Sequence, residues 1–239
     1  MAMPNMAFTV TDYLDYKPNF ISSFYQNVYS PGFVERQAIT AIEEFLSVLT
    51  PLVPDNVTLQ PPGISIAGNV TLPLVVQTPR FNVGCNLYPA YRRLIIGLSD
   101  VIRSCHFCFR NAHPKEFDLA TDFLKKVWEN TPSEQLIDTA ETSCFYSMRL
   151  TSNLAVESRP LMSDHQSPWC VLTSVGDWTN GRTLIPRLYT FPRLTVYGTP
   201  GDTIIVSDGV EVGNESHTGN RFQLEFFLPP SVYGGDGEE

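Results

Sequence analysis

The sequence predicts a mainly β domain, a sandwich or barrel, with amphipathic helices ahead of it in the chain. From Ser143 onward, short β-rich runs alternate with turn residues at a regular spacing that suits a sandwich or barrel and not a parallel α/β sheet. Before that point, three stretches place apolar residues at helical spacing. Hydrophobic residues make up 43% of the 239, against 17% charged, so the chain can fill a sizeable core and the composition disfavours global disorder. The length suits one large domain, or a domain with an N-terminal extension.

Residues 1–30 are aromatic and polar without a clear period and are expected to pack as an irregular arm. Residues 31–142 follow as a support region of helices and short strands. Ser30-Pro31 reads as an N-cap and first helical residue, with Val34, Ala38, Ile42, Phe45 and Leu49 on one helical face. Residues 51–87 are rich in proline and short β-branched runs such as Leu74-Val75-Val76, which predicts loops with two or three short strands. A second helix is expected over 89–110, burying Leu94, Ile95, Leu98, Val101, Ile102 and Cys105. A third runs from Pro114 to about Asn130, burying Phe117, Leu119 or Ala120, Phe123, Leu124, Val127 and Trp128. Residues 143–230 form the β core, with strands expected at Cys144–Leu150, Leu154–Glu157, Trp169–Val175, Thr183–Ile185, Leu194–Tyr197, Thr203–Val206 and Phe222–Leu228. Residues 231–239 read as a mobile acidic tail.

The formal net charge of -9 disfavours non-specific nucleic-acid binding. Tyr91-Arg92-Arg93, Arg103, Arg110, Lys115, Lys125 and Lys126 nonetheless offer one basic helical face, weighed against ordinary solvated helix surfaces. No secretory signal and no membrane-spanning apolar run is expected. Five cysteines point to reduced thiols in a cytoplasmic or nuclear setting, so the sequons at Asn56, Asn69 and Asn214 are read as meaningless. Cys105-His106-Phe107-Cys108 with His113 resembles half a zinc site, but no second Cys-x-x-Cys completes it, which favours buried thiols. The aromatic pairs Phe107/Phe109 and Phe226/Phe227 read as core. The sequence has no nucleophile elbow, P-loop or dinucleotide fingerprint.

The last third carries five elements in order: Trp169-Cys170; Gly176-Asp177-Trp178-Thr179-Asn180-Gly181; Leu184-Ile185-Pro186; Pro200-Gly201-Asp202 before an apolar strand; and Gly219-Asn220-Arg221 leading into Phe222–Phe227. Together they resemble the 2-oxoglutarate/Fe(II) dioxygenase-like proteins expanded in fungi, relatives of the Tet and J-base-binding-protein hydroxylases. That resemblance implies a double-stranded β-helix, jelly-roll and cupin-like, with the N-terminal helices packed on its outside. It also implies iron held by two His and one carboxylate. On the matching positions stand Arg159 and Leu161, where the His-x-Asp pair belongs, and Val212, after Glu211, where the distal His belongs. Arg182 stands where the family has an acid.

Leu161 and Val212 have no lone pair to donate, and Arg159 brings a fixed positive charge toward the cation's place. Arg221 stands at the position resembling the family's co-substrate carboxylate clamp, and its planar guanidinium suits a carboxylate. The leading expectation is a catalytically degenerate binding or interaction module with no cofactor and an anion pocket at Arg221, Glu157 and Glu211 being further pocket candidates. Its partner would be a small anion or another protein. No catalytic residue is assigned.

One alternative is an active oxygenase using Fe(II) and 2-oxoglutarate at a displaced metal site drawn from Asp164, His165 and His217, acting on a modified base. Asp164 and His165 are adjacent, so on a strand they would point to opposite faces. A second alternative is a metal-independent enzyme using Glu157, Arg159 and Arg221. Arg159 is read either as pairing with Glu157, Glu211 or Asp208, or as solvent-facing.

Overall fold

The computed structural model describes residues 10–14, 20–25, 28, 32–49, 58–60, 65–137, 143–153, 156–160, 169–185, 194–196, 200–207 and 210–229. The β core begins with β5 (Ser147–Ser152), preceded in the chain by β1 (Val10–Leu14), β2 (Phe20–Tyr25), β3 (Thr58–Gln60) and β4 (Ser65–Pro73). After β5 come β6 (Val156–Pro160), β7 (Trp169–Gly176), β8 (Thr183–Ile185), β9 (Leu194–Val196), β10 (Thr203–Ser207), β11 (Glu211–Asn214) and β12 (Arg221–Phe227). An eight-stranded sheet has the order β1-β2-β10-β7-β12-β5-β4-β3, and a four-stranded sheet has the order β6-β11-β8-β9. From β5 to β12 the chain passes back and forth between the two sheets, and every pairing is antiparallel. That winding is a double-stranded β-helix, as expected. The strand at 211–214 was not anticipated, because Glu-Val-Gly-Asn carries too little apolar pattern to announce itself.

The N-terminal arm departs from expectation. Residues read as irregular form β1 and β2, and β2 pairs with β10 from Thr203↔Tyr25 to Val206↔Ser22. The adjacent serines in Phe-Ile-Ser-Ser-Phe-Tyr break the alternation that would have announced a strand, and pairing with an existing sheet edge overrides that weak local signal. At the other edge β4 adds to β5. The wide sheet therefore takes strands from both sides of the helical segment.

Among the described residues four α-helices cover one face: α1 (Phe33–Leu49), α2 (Tyr88–Gly97), α3 (Ser99–Ala112) and α4 (Pro114–Asn130). The α1 stripe of Ala38, Ala41, Ile42, Phe45, Leu46 and Leu49 is buried, while its expected start at Ser30-Pro31 lies outside the described residues. The single helix expected over 89–110 is two helices sharing Leu98 as a cap. Its apolar stripe runs unbroken through Leu94, Leu98 and Ile102, so periodicity hides the break. The helix expected from Pro114 matches α4, with Ala120 buried and Leu119 exposed. Phe107 is 39% exposed, which corrects its reading as core, whereas Phe109, Phe226 and Phe227 are buried. On α3, Phe107 points away from the stripe of Val101, Ile102, Cys105 and Cys108.

β12 organises the interior. Phe222, Leu224 and Phe226 enter the core shared with the helices, each full burial stabilising by about 1.5–3 kcal/mol. On its opposite face, Arg221, Gln223, Glu225 and Phe227 enter the space toward the smaller sheet, and all seven residues are buried. No helix among the described residues is long and apolar enough to cross a membrane.

Candidate functional site

Arg221 opens β12, and its backbone is held from two sides. Asn153 N–H donates to the Arg221 carbonyl at 2.9 Å, and Arg221 N–H donates to Asn153 Oδ1 at 2.8 Å. Opposite, Gly176 pairs with Arg221 at φ +138°, where a side chain would bring Cβ to 2.1 Å from the Asn220 carbonyl oxygen. Only glycine fits both the backbone conformation and that approach.

The Arg221 side chain is 3% exposed. Nη2 donates to Thr183 Oγ1 at 2.7 Å and Nη1 to the Gly181 carbonyl at 3.4 Å, while the guanidinium lies 5.2 Å from the Trp178 ring centroid. Nε is buried without a hydrogen-bond partner. Among the described residues no carboxylate lies within salt-bridge distance of it. Burial pushes its pKa down to about 10, the signature of a cation whose lost hydration is poorly replaced.

From Arg221 a file of buried polar groups runs through the interior. Thr183 Oγ1 donates to Asn214 Oδ1 at 3.4 Å, Asn214 Nδ2 donates to Gln223 Oε1, and Gln223 Nε2 donates to Glu225 Oε1 at 2.9 Å. Glu225 Oε2 accepts from Arg149 Nη1 at 3.2 Å. A small cavity of about 10 Å³, room for about one water, borders this file, lined by Leu172, Thr173, Ser174, Thr183, Asp202, Ile204 and Gln223. Thr183 belongs to both: it accepts from Arg221 and lines the cavity.

The other part of the interior is apolar. Val212 is 3% exposed and clusters with Cys170, Leu172, Ile185, Ile204, Val206, Val210 and Phe227. Arg159 stands directly opposite Val212 in the β6–β11 register, and Glu211 stands opposite Pro160. The side chains of Glu157 and Arg159 lie outside the described residues, as do Leu161, Asp164, His165 and Asp208. Arg182 donates through Nε to Glu215 Oε2 at 2.8 Å, a hydrogen bond that, ahead of other effects, holds the Glu215 carboxyl below its ordinary range.

His217 is half-buried in the turn before β12. Its Nδ1 is buried. Burial, and after it the Arg221 charge, keep its imidazole below the usual range, against the opposing pull of a hydrogen bond with the Glu215 backbone. Among the described residues no group of three or more His, Cys, Asp or Glu is arranged to hold a metal. Cys105 and Cys108 are buried in the helix–sheet core, and the His113 ring lies 3.8 Å from that of Trp169. The basic residues of α2–α4 are exposed, but Arg93 faces Glu44 at 3.7 Å and Arg103 bonds Asp100 at 3.1 Å, so acids interrupt that face.

Sequence reasoning found Arg221 but missed Thr183, Asn214, Gln223, Glu225 and Arg149 as its continuation. The signal was present in Arg-Phe-Gln-Leu-Glu-Phe, where every second residue is polar. That alternation ordinarily means a strand with one face in water. Here both faces are covered.

The structure aligns with that of NgTET1, solved in complex with 5mC DNA, at TM-score 0.56 and 13% identity, over 94% of this chain and 78% of that one. The chain has the fold of the 2-oxoglutarate/iron oxygenases. Weaker likenesses are AviO1 from Streptomyces viridochromogenes (TM-score 0.46, 11% identity, 88% and 90% of the two chains) and a Pseudomonas putida prolyl-4-hydroxylase (0.42, 9%, 87% and 91%). No family model matches the sequence, and no curated protein does. At such identities the likeness concerns architecture, and function has to be argued from the site.

Proposed function

We propose that this protein is a binding module on an oxygenase fold that has lost its iron centre and kept a carboxylate-binding guanidinium. The observation that carries this reading is Arg221: a buried guanidinium with an unpartnered Nε, no carboxylate partner among the described residues, and a hydroxyl partner that lines a cavity. A buried cation left in that state costs free energy, and a bound carboxylate would offset it with charge-assisted hydrogen bonds.

The residues at the resembling iron positions do not fit a metal. Valine offers no donor atom, and Val212 is packed among Leu172, Ile185 and Phe227. Leucine and arginine stand at the two remaining positions, the first without a lone pair and the second carrying a permanent positive charge. No step is therefore routed through iron. The chemistry left to the chain's own residues is to bind and orient a carboxylate at Arg221 within a water-poor interior.

Calorimetric titration of 2-oxoglutarate, with and without Mn(II), tests the reading. Binding that is independent of metal and lost in Arg221→Met supports it. Stoichiometric iron retained after anaerobic reconstitution, together with consumption of 2-oxoglutarate, would overturn it.

A further inference from the structure

The turn from β7 to β8 carries Asn180-Gly181, the sole Asn-Gly pair in the sequence. Backbone geometry calls for both residues. Asn180 stands at φ +60°, a left-handed conformation that asparagine enters more readily than most other side chains, and Gly181 follows at φ +70°. An added Cβ on Gly181 would lie 2.6 Å from His217 Cβ and 3.0 Å from the Ser216 carbonyl oxygen, so that position is closed to anything larger. The flanks are tied down: Thr179 N–H donates to the Thr218 carbonyl at 2.7 Å, and Arg182 N–H to Glu215 Oε2 at 3.2 Å. Between them Asn180 is exposed. Among the described residues neither its side-chain amide nor the Gly181 N–H has a hydrogen-bond partner.

We propose that Asn180 is a self-modification site, where the chain slowly converts its own amide to an acid and thereby unseats Arg221. The Gly181 peptide nitrogen, after giving its proton to solvent base, attacks Asn180 Cγ. A Cγ–N bond forms, the Cγ–Nδ2 bond breaks, and the amide takes a proton from water and leaves as ammonia. Water then opens the cyclic imide at either carbonyl. One opening gives aspartate, the other an isoaspartate whose main chain runs through Cβ and Cγ. Glycine favours the step because no Cβ shields the attacking nitrogen. Exposure lets water reach the carbonyl and lets ammonia escape. The Asn153 amide is the contrast, because it accepts from Arg221 N–H at 2.8 Å and donates to Asn220 Oδ1 at 3.4 Å, which holds it back from attack. Either product adds a negative charge, and isoaspartate also lengthens the backbone by a methylene. Gly181 has no slack to absorb that length: it is packed on His217 and Ser216, and its carbonyl accepts from Arg221 Nη1 at 3.4 Å. A longer chain just ahead of Gly181 therefore displaces an acceptor that seats the buried guanidinium.

The test ages the full chain at pH 8 and follows every asparagine by peptide mass analysis. The mass gain of amide-to-acid conversion should appear at Asn180 at least about tenfold faster than at any other asparagine, and within about tenfold of its rate in the urea-unfolded chain. Asn180→Gly, which suits the left-handed φ, should abolish the gain in a protein that still melts cooperatively. Asn180→Asp carries the new charge without the extra methylene. The isoaspartyl fraction, identified by enzymatic methylation specific to isoaspartate, should melt at least about 2 °C below freshly prepared Asn180→Asp. That deficit should shrink in an Arg221→Met background, which has no guanidinium to unseat. An Asn180 that keeps its amide in the folded chain while losing it in urea would show that the clamped turn forbids ring closure, and would overturn the proposal. An isoaspartyl deficit that is absent, or unchanged by Arg221→Met, would sever the link to Arg221.

Discussion

Arg149 on β5 and Glu225 on β12 stand opposite each other in register and pair at 3.2 Å, their side chains 8% and 3% exposed. Glu225 also accepts from Gln223, so the pair anchors the far end of the file that begins at Arg221. Removing one partner strands a charge in the interior. Arg149→Met should cost about 3–5 kcal/mol in urea unfolding. The double variant Arg149→Met/Glu225→Leu should recover most of that. If the two single losses simply add in the double variant, the pair is not acting as a unit.

Gly176→Ala should destabilise by at least about 2 kcal/mol, since it forces a side chain onto a backbone oxygen at an unfavourable φ. Gly84, whose added Cβ would meet only a side-chain atom at 3.4 Å, is the control. Its alanine variant should unfold within about 0.5 kcal/mol of wild type. Equal behaviour of the two variants would refute the clash.

Thiol chemistry reports on the helix–sheet core. Burial raises the thiol pKa of Cys105, Cys144 and Cys170, and pushes that of Cys108 up to about 12. Cys85 alone of the five is partly exposed. A chromogenic disulfide reagent at pH 8 should therefore label one thiol in the native protein and the remainder only on unfolding. Rapid labelling of two or more would contradict the packing of α3 on the sheet.

The Arg182–Glu215 contact makes an acid-side prediction. Glu215 titrates lower in the folded than in the unfolded chain, so the unfolded state binds more protons between those two values. The contribution is present above the unfolded carboxyl range and is lost as pH falls through the folded value. Arg182→Ala should flatten that part of the stability–pH curve, with a small loss of stability at neutral pH that disappears below the folded value, small because the pair is partly exposed. Parallel wild-type and variant curves would dismiss the contact.

A designed reversal tests the iron argument. Val212→His alone places an imidazole among Leu172, Ile185 and Phe227 and should cost about 1–3 kcal/mol. Combined with Arg159→His and Leu161→Asp, it should confer Mn(II) binding that the wild type lacks. A wild type that binds Mn(II) as tightly as the triple variant would defeat the proposal.

The β5–β12 region was largely legible because its turns are written in residues with fixed backbone preferences, such as Thr199-Pro200-Gly201-Asp202. The Pro114 start of α4 was legible for the same reason. β2 and β11 were not, because they are specified by partners far away in the chain, β2 by β10 and β11 by β6 and β8, and β1 is an edge strand laid on β2. At the site, Arg221 stood out because its position resembles the family's co-substrate carboxylate clamp. Its neighbours Thr183 and Asn214 lie on two strands that meet only across the β8–β11 register, where Asn214 pairs with Thr183. No spacing rule along one strand reveals a hydrogen bond made across two.

β12 lies between β7 and β5 in the wide sheet, yet it follows both in chain order. During synthesis those earlier strands have no shared neighbour, and the seam between them stays open until residues 221–227 leave the ribosome. The nascent chain must therefore keep two exposed edges from pairing with the wrong strand until β12 arrives to close the seam.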